Sequence, residues 1–161
     1  MKKIAIVPGS YDPVTLGHID IIHRAANVFD TVIPAIMVNS EKKGLFTPDE
    51  RLQLLNCACR NISSAKPIIW TSLASELIEA EGAGFIVKGA RNATDFDYEN
   101  GLAEIMRRFA PQADRLIFPC RPEYFHISST YARERLKYGQ DLSDIADEKT
   151  AELMKKIYEA K

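Results

Sequence analysis

The segment Gly9-Ser10-Tyr11-Asp12-Pro13-Val14-Thr15-Leu16-Gly17-His18 gathers the residue types that phosphate chemistry requires. It follows the apolar run Ile4-Ala5-Ile6-Val7 and precedes an amphipathic stretch, so it reads as strand, Gly/Pro-rich loop and helix start. A helix start presents unpaired N–H groups and the positive end of the dipole, a suitable seat for an anion. Gly17 lets a ligand approach the backbone, and His18 adds a side-chain donor at the same place. A helix N-terminus lowers an imidazole pKa, so His18 is expected to be neutral and to donate one hydrogen bond. Ser10 offers a hydroxyl to the reacting phosphate, while Asp12 and Pro13 are expected to shape the loop. His23 lies five residues past His18, lacks the i, i+4 spacing of a helical metal site, and reads as a helix-face residue. The loop is neither a Walker A motif nor a Gly-x-Gly-x-x-Gly fingerprint.

Three further stretches share this chemistry. Lys88-Gly89-Ala90-Arg91-Asn92 places two cations around a glycine that permits close approach, with Arg91 able to hold phosphate in fork geometry. The following Asp95-Phe96-Asp97-Tyr98-Glu99 opens a helix, where acids are ordinary first-turn residues. Ile127-Ser128-Ser129-Thr130-Tyr131-Ala132-Arg133 begins another helix with three hydroxyls, where capping needs one. Lys42-Lys43 follows the second strand, where a lysine reaches a phosphate as a mobile point charge.

The elements that position these loops alternate along the chain. Strands are expected at about Lys3 to Val7, Val32 to Val38, Ile68 to Trp70, Phe85 to Val87 and Leu116 to Phe118. Helices are expected at about Gly17 to Phe29, from Pro48 with Leu52, Leu55 and Cys59 on one face, from a Ser72 cap to Glu81, at Asp95 to Phe109, from Ser128 or Ser129 to Gly139, and at Asp147 to Tyr158. Thr47-Pro48-Asp49-Glu50 spells a capping box with proline at the first helical position. Gly82 and Gly84 are expected to end the third helix. Short apolar strands between helices predict an α/β fold: a doubly wound, five-stranded parallel sheet of Rossmann-like type. With strand order 3-2-1-4-5, the order reverses between strands one and four, and the loops after Val7 and Val87 face each other there.

The chain has 161 residues and is read as one domain, 1–161. Its formal net charge of −1 gives no general attraction to nucleic acid, so no nucleic-acid partner is expected. Cys57, Cys59 and Cys120 have no metal spacing and read as reduced, buried or half-buried thiols. No apolar stretch approaches membrane-spanning length, so no membrane partner and a cytoplasmic location are expected. The apolar face of the last helix, Leu153, Met154 and Ile157, is open to packing within the subunit or against a neighbour.

The order Thr15-Leu16-Gly17-His18 after a Gly-x-x-Asp-Pro loop resembles the signature of the nucleotidyltransferase superfamily related to class I aminoacyl-tRNA synthetases. Pro8 to His18, Lys42 to Arg51, Lys88 to Glu99 and Ile127 to Thr130 together resemble the bacterial phosphopantetheine adenylyltransferase family, over essentially the whole chain. The resemblance implies transfer of the adenylyl group of ATP to 4′-phosphopantetheine, with Mg²⁺, giving dephospho-coenzyme A and pyrophosphate. It implies catalytic roles for His18, Ser10, Lys42 and Arg91. ATP contacts would come from Ser10, Tyr11, His18, Gly89, Ala90, Arg91, Glu99 and the run Tyr124, Phe125, His126, Ile127, Ser128, Ser129 and Thr130. Acceptor contacts would come from Ser10, Lys42, Ala74 and Lys88. It further implies a cytoplasmic homohexamer inhibited by coenzyme A, with no protein cage for the metal. The chain departs from the family in Ser10, usually Thr, and Lys88, usually Arg. The first change loses the methyl that fixes the rotamer, and the second loses bidentate phosphate geometry. Other acceptors of the superfamily (glycerol 3-phosphate with CTP, nicotinate nucleotide with ATP) stay open as alternatives, as does a nucleotide sensor without turnover.

Overall fold

The computed structural model describes residues 2–39 and 43–161. Elements follow in the order β1 (Ile4–Gly9), α1 (Leu16–Ala26), β2 (Thr31–Met37), α2 (Pro48–Cys59), β3 (Ile68–Trp70), α3 (Ala74–Glu81), β4 (Phe85–Ala90), α4 (Ala93–Phe109), β5 (Asp114–Pro119), a 3-10 turn (Pro122–Tyr124), α5 (Ser129–Lys137) and α6 (Glu148–Glu159). The sheet has order β3-β2-β1-β4-β5. Its four pairings are all parallel. The expected order and its reversal between β1 and β4 are therefore present.

Alternation along the strands divides the core between the two faces of the sheet. Ala5, Val7, Val32, Ile36 and Val87 join Ile22, Leu54, Leu55, Leu136 and Met154 from α1, α2, α5 and α6. Ile6, Ala35 and Ile86 meet Leu77 and Ile78 of α3 on the other face. Met154 is fully buried, and Leu153 and Ile157 pack against the same cluster. The last helix thus closes its apolar face within the subunit, against α2. All three cysteines are free; Cys59 is buried, and burial pushes its thiol up to about 12.

Local signals held where a specific bond enforced them. Thr47 Oγ1 accepts from the Glu50 N–H, and Glu50 Oε2 accepts from the Thr47 N–H at 2.7 Å, the reciprocal pair of a capping box. Gly82 sits at φ 59° as the C-cap of α3. Gly84 instead enters the sheet, its N–H donating to the Ile4 carbonyl. Ser72 is not the cap of α3: Leu73 holds that position without a side-chain bond, and Ser72 donates to Glu76. On α2 the buried face is Arg51, Leu54, Leu55 and Cys59, with Leu52 at its margin. β4 continues through Lys88 and Gly89 to Ala90 because β5 pairs with it along that length. α4 starts at Ala93, with Asn92 accepting from the Asp95 N–H, so Glu99 lies in the second turn rather than the first.

Candidate active site

The loop after β1, the start of α1, the end of β4, α4 and the segment before α5 enclose a cavity of about 440 Å³. Its lining includes Gly9, Tyr11, Gly17, His18, Lys88, Gly89, Arg91, Glu99, Tyr124, Ile127, Ser128 and Ser129, all expected from the sequence. It sits outside the carboxyl ends of β1 and β4, at the switch point of the sheet. Ser10, Ala74, Ala90, Phe125, His126 and Thr130 do not line it. Ser10 is exposed at the rim, and its carbonyl accepts from Arg51. Ala74 opens α3, at the carboxyl edge beyond β3. The Ala90 carbonyl accepts from the Cys120 N–H. Lys42 lies outside the described residues.

His18 is set by the helix start. Thr15, the N-cap of α1, donates its N–H to His18 Nδ1 at 3.1 Å, and Thr15 Oγ1 lies 3.0 Å from the same nitrogen. A backbone N–H only donates, so Nδ1 is bare and the imidazole proton resides on Nε2. Burial, followed by the charges of Lys88 and Arg91, lowers the His18 pKa from 6.5 to about 4. The ring is therefore a neutral, single-proton donor at neutral pH, as its position in the sequence suggests.

This shift has a consequence for stability. Between about pH 4 and 6.5 the unfolded chain holds a proton that the folded chain rejects. The contribution of His18 is complete above pH 6.5 and is lost as pH falls toward 4. Urea midpoints are expected to fall further between pH 7 and 5 in the wild-type chain than in His18→Gln. Equal losses in the two proteins would contradict this.

Tyr11, which lines the cavity, also supports His18. Its side chain is buried, and its hydroxyl donates to the Val7 carbonyl at 2.7 Å. Its ring stands 5.0 Å from that of His18, tilted by 56°, and so backs the imidazole. Tyr11 has φ 47°, a conformation costly for a bulky residue and maintained here by packing and that bond.

Two glycines expected to admit a ligand behave differently. A Cβ on Gly89 would lie 3.0 Å from Ile21 Cγ1, so this glycine lets α1 pack on β4. A Cβ on Gly17 would meet Thr15 Oγ1 and Tyr124 at 3.7 and 3.8 Å, which is ordinary contact. The protein itself does not demand glycine at 17; the room it leaves belongs to the cavity.

The cations of the site are held by carboxylates. Lys88 Nζ lies 3.1 Å from Glu99 Oε1 and donates to the Pro8 carbonyl at 3.2 Å. Arg115 Nη1 donates to Glu99 Oε2 at 2.8 Å and to the Glu99 carbonyl at 2.9 Å. Arg91 Nε donates to Asp95 Oδ2 at 3.1 Å, with the Arg91 guanidinium half exposed. The three hydroxyls of the third stretch are also engaged. Ser128 caps α5, Ser129 donates to the Pro13 carbonyl at 2.9 Å, and Thr130 accepts from Arg133. Only Ser129 uses its O–H as a donor; Ser128 and Thr130 accept, so their O–H groups stand with the N–H groups of the helix start as donors.

Asp95, Tyr98 and Cys120 also line the cavity without having been given a role from sequence; Asp95 and Tyr98, like Arg133, were named only within their stretches, and Arg115 was not named at all. Asp95 and Tyr98 belong to a stretch noted for its acids and for the resemblance, and the roles of Arg115 and Arg133 become visible only through the groups they meet. Cys120 and Arg115 carry no local signal: pairing of β5 with β4 brings them there.

A cavity lined by a helix N-terminus, a neutral imidazole and two cations, at the switch point of a five-stranded parallel sheet, fits a nucleotidyltransferase. The cytidylyltransferase-like family profile matches residues 6–135. The chain is 38% identical over 141 residues to the phosphopantetheine adenylyltransferase of Lachnoclostridium phytofermentans, covering 88% of this chain and 86% of that one. It is 38% identical over 156 residues to that of Shouchella clausii, covering 97% and 98%. A solved Vibrio parahaemolyticus structure, provisionally described as a nicotinate-nucleotide adenylyltransferase, shares the fold with a TM-score of 0.67 at 20% identity, covering 96% and 99%. The chain belongs to the phosphopantetheine adenylyltransferase family.

Proposed function

We propose that this protein transfers the adenylyl group of ATP to 4′-phosphopantetheine, releasing pyrophosphate and forming dephospho-coenzyme A. The observation that carries the chemistry is a neutral His18, its proton placed on Nε2, lining the cavity beside Gly17 and the N-terminus of α1. The acceptor is supported by 36–38% identity to phosphopantetheine adenylyltransferases over most of the chain.

An oxygen of the acceptor phosphate attacks the α-phosphorus of ATP in line. One P–O bond forms, the bond to the bridging oxygen of pyrophosphate breaks, and no protein nucleophile is required. Catalysis then rests on positioning and on stabilising developing charge. His18 Nε2–H and the α1 N–H groups face the α-phosphate, and Ser10, exposed beside the cavity, would turn its hydroxyl toward it. Lys88 and Lys42 orient the acceptor phosphate, and Lys88 exchanges part of its bond to Glu99 for it. Arg91 and the start of α5 hold the triphosphate.

Among the described residues no group of three His, Cys, Asp or Glu could hold a metal ion. We propose that Mg²⁺ would be carried mainly on the substrate phosphates, where it would neutralise charge. We further propose a cytoplasmic homohexamer, with coenzyme A inhibiting at the same cavity. The exposed apolar residues of α4, Tyr98, Ile105 and Phe109, support an oligomer. No described helix is long and apolar enough to cross a membrane.

The acceptor assignment is tested by presenting 4′-phosphopantetheine, nicotinate mononucleotide and glycerol 3-phosphate with ATP and with CTP. Turnover confined to ATP with 4′-phosphopantetheine is expected; preference for another pair would replace the assignment.

A further inference from the structure

Asp12 lies next to the reaction site without lining its cavity, and its carboxylate and its carbonyl accept hydrogen bonds from two different elements. The carboxylate faces the β2–α2 connection. Oδ2 accepts from the Leu45 N–H and Oδ1 from the Phe46 N–H, each at 2.9 Å. Arg51 of α2 lies against the same carboxylate, its Nε 3.4 Å from Oδ1 while also donating to the Phe46 carbonyl at 2.7 Å. Both side chains are only 10% exposed. The backbone carbonyl accepts from Arg133 Nη1 of α5 at 2.7 Å, a nitrogen that also lies 4.0 Å from Oδ2 without a hydrogen bond to it, and the neighbouring Pro13 carbonyl accepts from Ser129.

Gly44 belongs to the same joint. A Cβ there would overlap Arg51 Nη2 and come within 2.9 Å of Asp12 Oδ2. The guanidinium thus occupies the space that any other residue at 44 would fill. Backbone amides at 45 and 46, a buried ion pair and a glycine that admits it together fasten the end of the β2–α2 connection to the β1–α1 loop. Charge-assisted bonds to a buried carboxylate are the strong kind, and a loop tied by two of them is held in register.

We propose that Asp12 is a positioning residue whose carboxylate sets the β2–α2 connection for the acceptor, while its carbonyl and that of Pro13 set α5 for ATP. This rests on the functional reading above, in which the β2–α2 connection supplies Lys42 to the acceptor and the start of α5 holds the triphosphate. The two substrates then depend on different atoms of one short segment, and substitutions at the two ends of the joint separate their effects.

Steady-state kinetics of Asp12→Asn, Gly44→Ala and Ser129→Ala test this, with hydrogen exchange at the Leu45 and Phe46 amides. An asparagine cannot accept from both amides, because one side-chain position becomes a donor. Asp12→Asn is expected to raise the KM for 4′-phosphopantetheine about tenfold and leave that for ATP within about twofold. Gly44→Ala, which displaces Arg51 without removing a charge, is expected to do the same, and carries the test if Asp12→Asn fails to fold. Ser129→Ala is expected to show the reverse split. Both amides should exchange faster in Asp12→Asn and Gly44→Ala but not in Ser129→Ala. A folded Asp12→Asn or Gly44→Ala whose two KM values move together, or not at all, overturns the proposal. If the wild-type chain itself forms no dephospho-coenzyme A, the functional reading fails. Exchange alone then decides the joint: faster exchange in the two variants supports it and unchanged exchange overturns it.

Discussion

His18→Ala is expected to lower kcat by about 10²–10³, the usual cost of removing one preorganised donor to a developing oxyanion, about 2.7–4 kcal/mol. The KM for ATP should change little, because the bond is strongest where charge develops. The tautomer makes this a sharp expectation. With Nδ1 occupied as the acceptor of the Thr15 N–H, the ring has one donor, on Nε2, and Tyr11 packs behind it. The cations Lys88 and Arg91, together with burial, keep the ring uncharged near neutral pH. Loss of the ring also leaves the Thr15 N–H without its side-chain acceptor, so a stability loss of about 1 kcal/mol should accompany the kinetic one. Turnover is measured on protein shown to be folded by circular dichroism. Wild-type kcat in that protein would remove His18 from the mechanism.

Glu99→Ala is expected to give the largest loss of stability. The Glu99 carboxylate stands between Lys88 and Arg115, at 3.1 and 2.8 Å, with side-chain exposures of 10%, 24% and 12% for Glu99, Lys88 and Arg115. Burial already lowers the pKa of Arg115, and the charge of Glu99 opposes that shift. Arg115 Nε is buried without a hydrogen-bond partner among the described residues, so its guanidinium has little other compensation. Removing the carboxylate leaves two half-buried cations facing each other. Breaking such a pair from one side costs about 3–5 kcal/mol, or roughly 10 °C in Tm for a chain of this size. Lys88 also loses its restraint, so the KM for 4′-phosphopantetheine should rise. Glu99→Gln, which keeps an acceptor but not the charge, should fall between the two. A Tm for Glu99→Ala within about 2 °C of wild type would show that the cluster contributes little.

The sequence conveyed the parts of this fold whose signals are local. Alternation of apolar strands and capped helices, the box at Thr47 and Glu50, and the glycine at 82 all rest on bonds within a few residues. Crossover handedness pointed to a doubly wound sheet without fixing its order; the order was assumed, and the structure has it, so the β1 and β4 loops meet. Residue types near the motif were legible, but their partners were not. That Glu99 balances Lys88 and Arg115, that Ser129 ties to Pro13, and that Arg133 reaches Asp12 depend on contacts spanning 11 to 121 positions. Gly89 illustrates the limit. It lines the cavity as its type suggested, but a second reason for glycine there, the Ile21 side chain where a Cβ would sit, is revealed only by the packing of α1 on β4. Ser72 failed as a cap for a similar reason: the chain leaving β3 places Leu73 at the helix start, and no local rule favours leucine there.

The central claim, acceptor-dependent adenylyl transfer, is tested most directly by pyrophosphate release from Mg-ATP with and without 4′-phosphopantetheine, alongside a mass spectrum of the product. The account predicts release only when the acceptor is present, with the mass of dephospho-coenzyme A appearing in equal amount. Folded protein that binds ATP yet releases no pyrophosphate with this acceptor would contradict it.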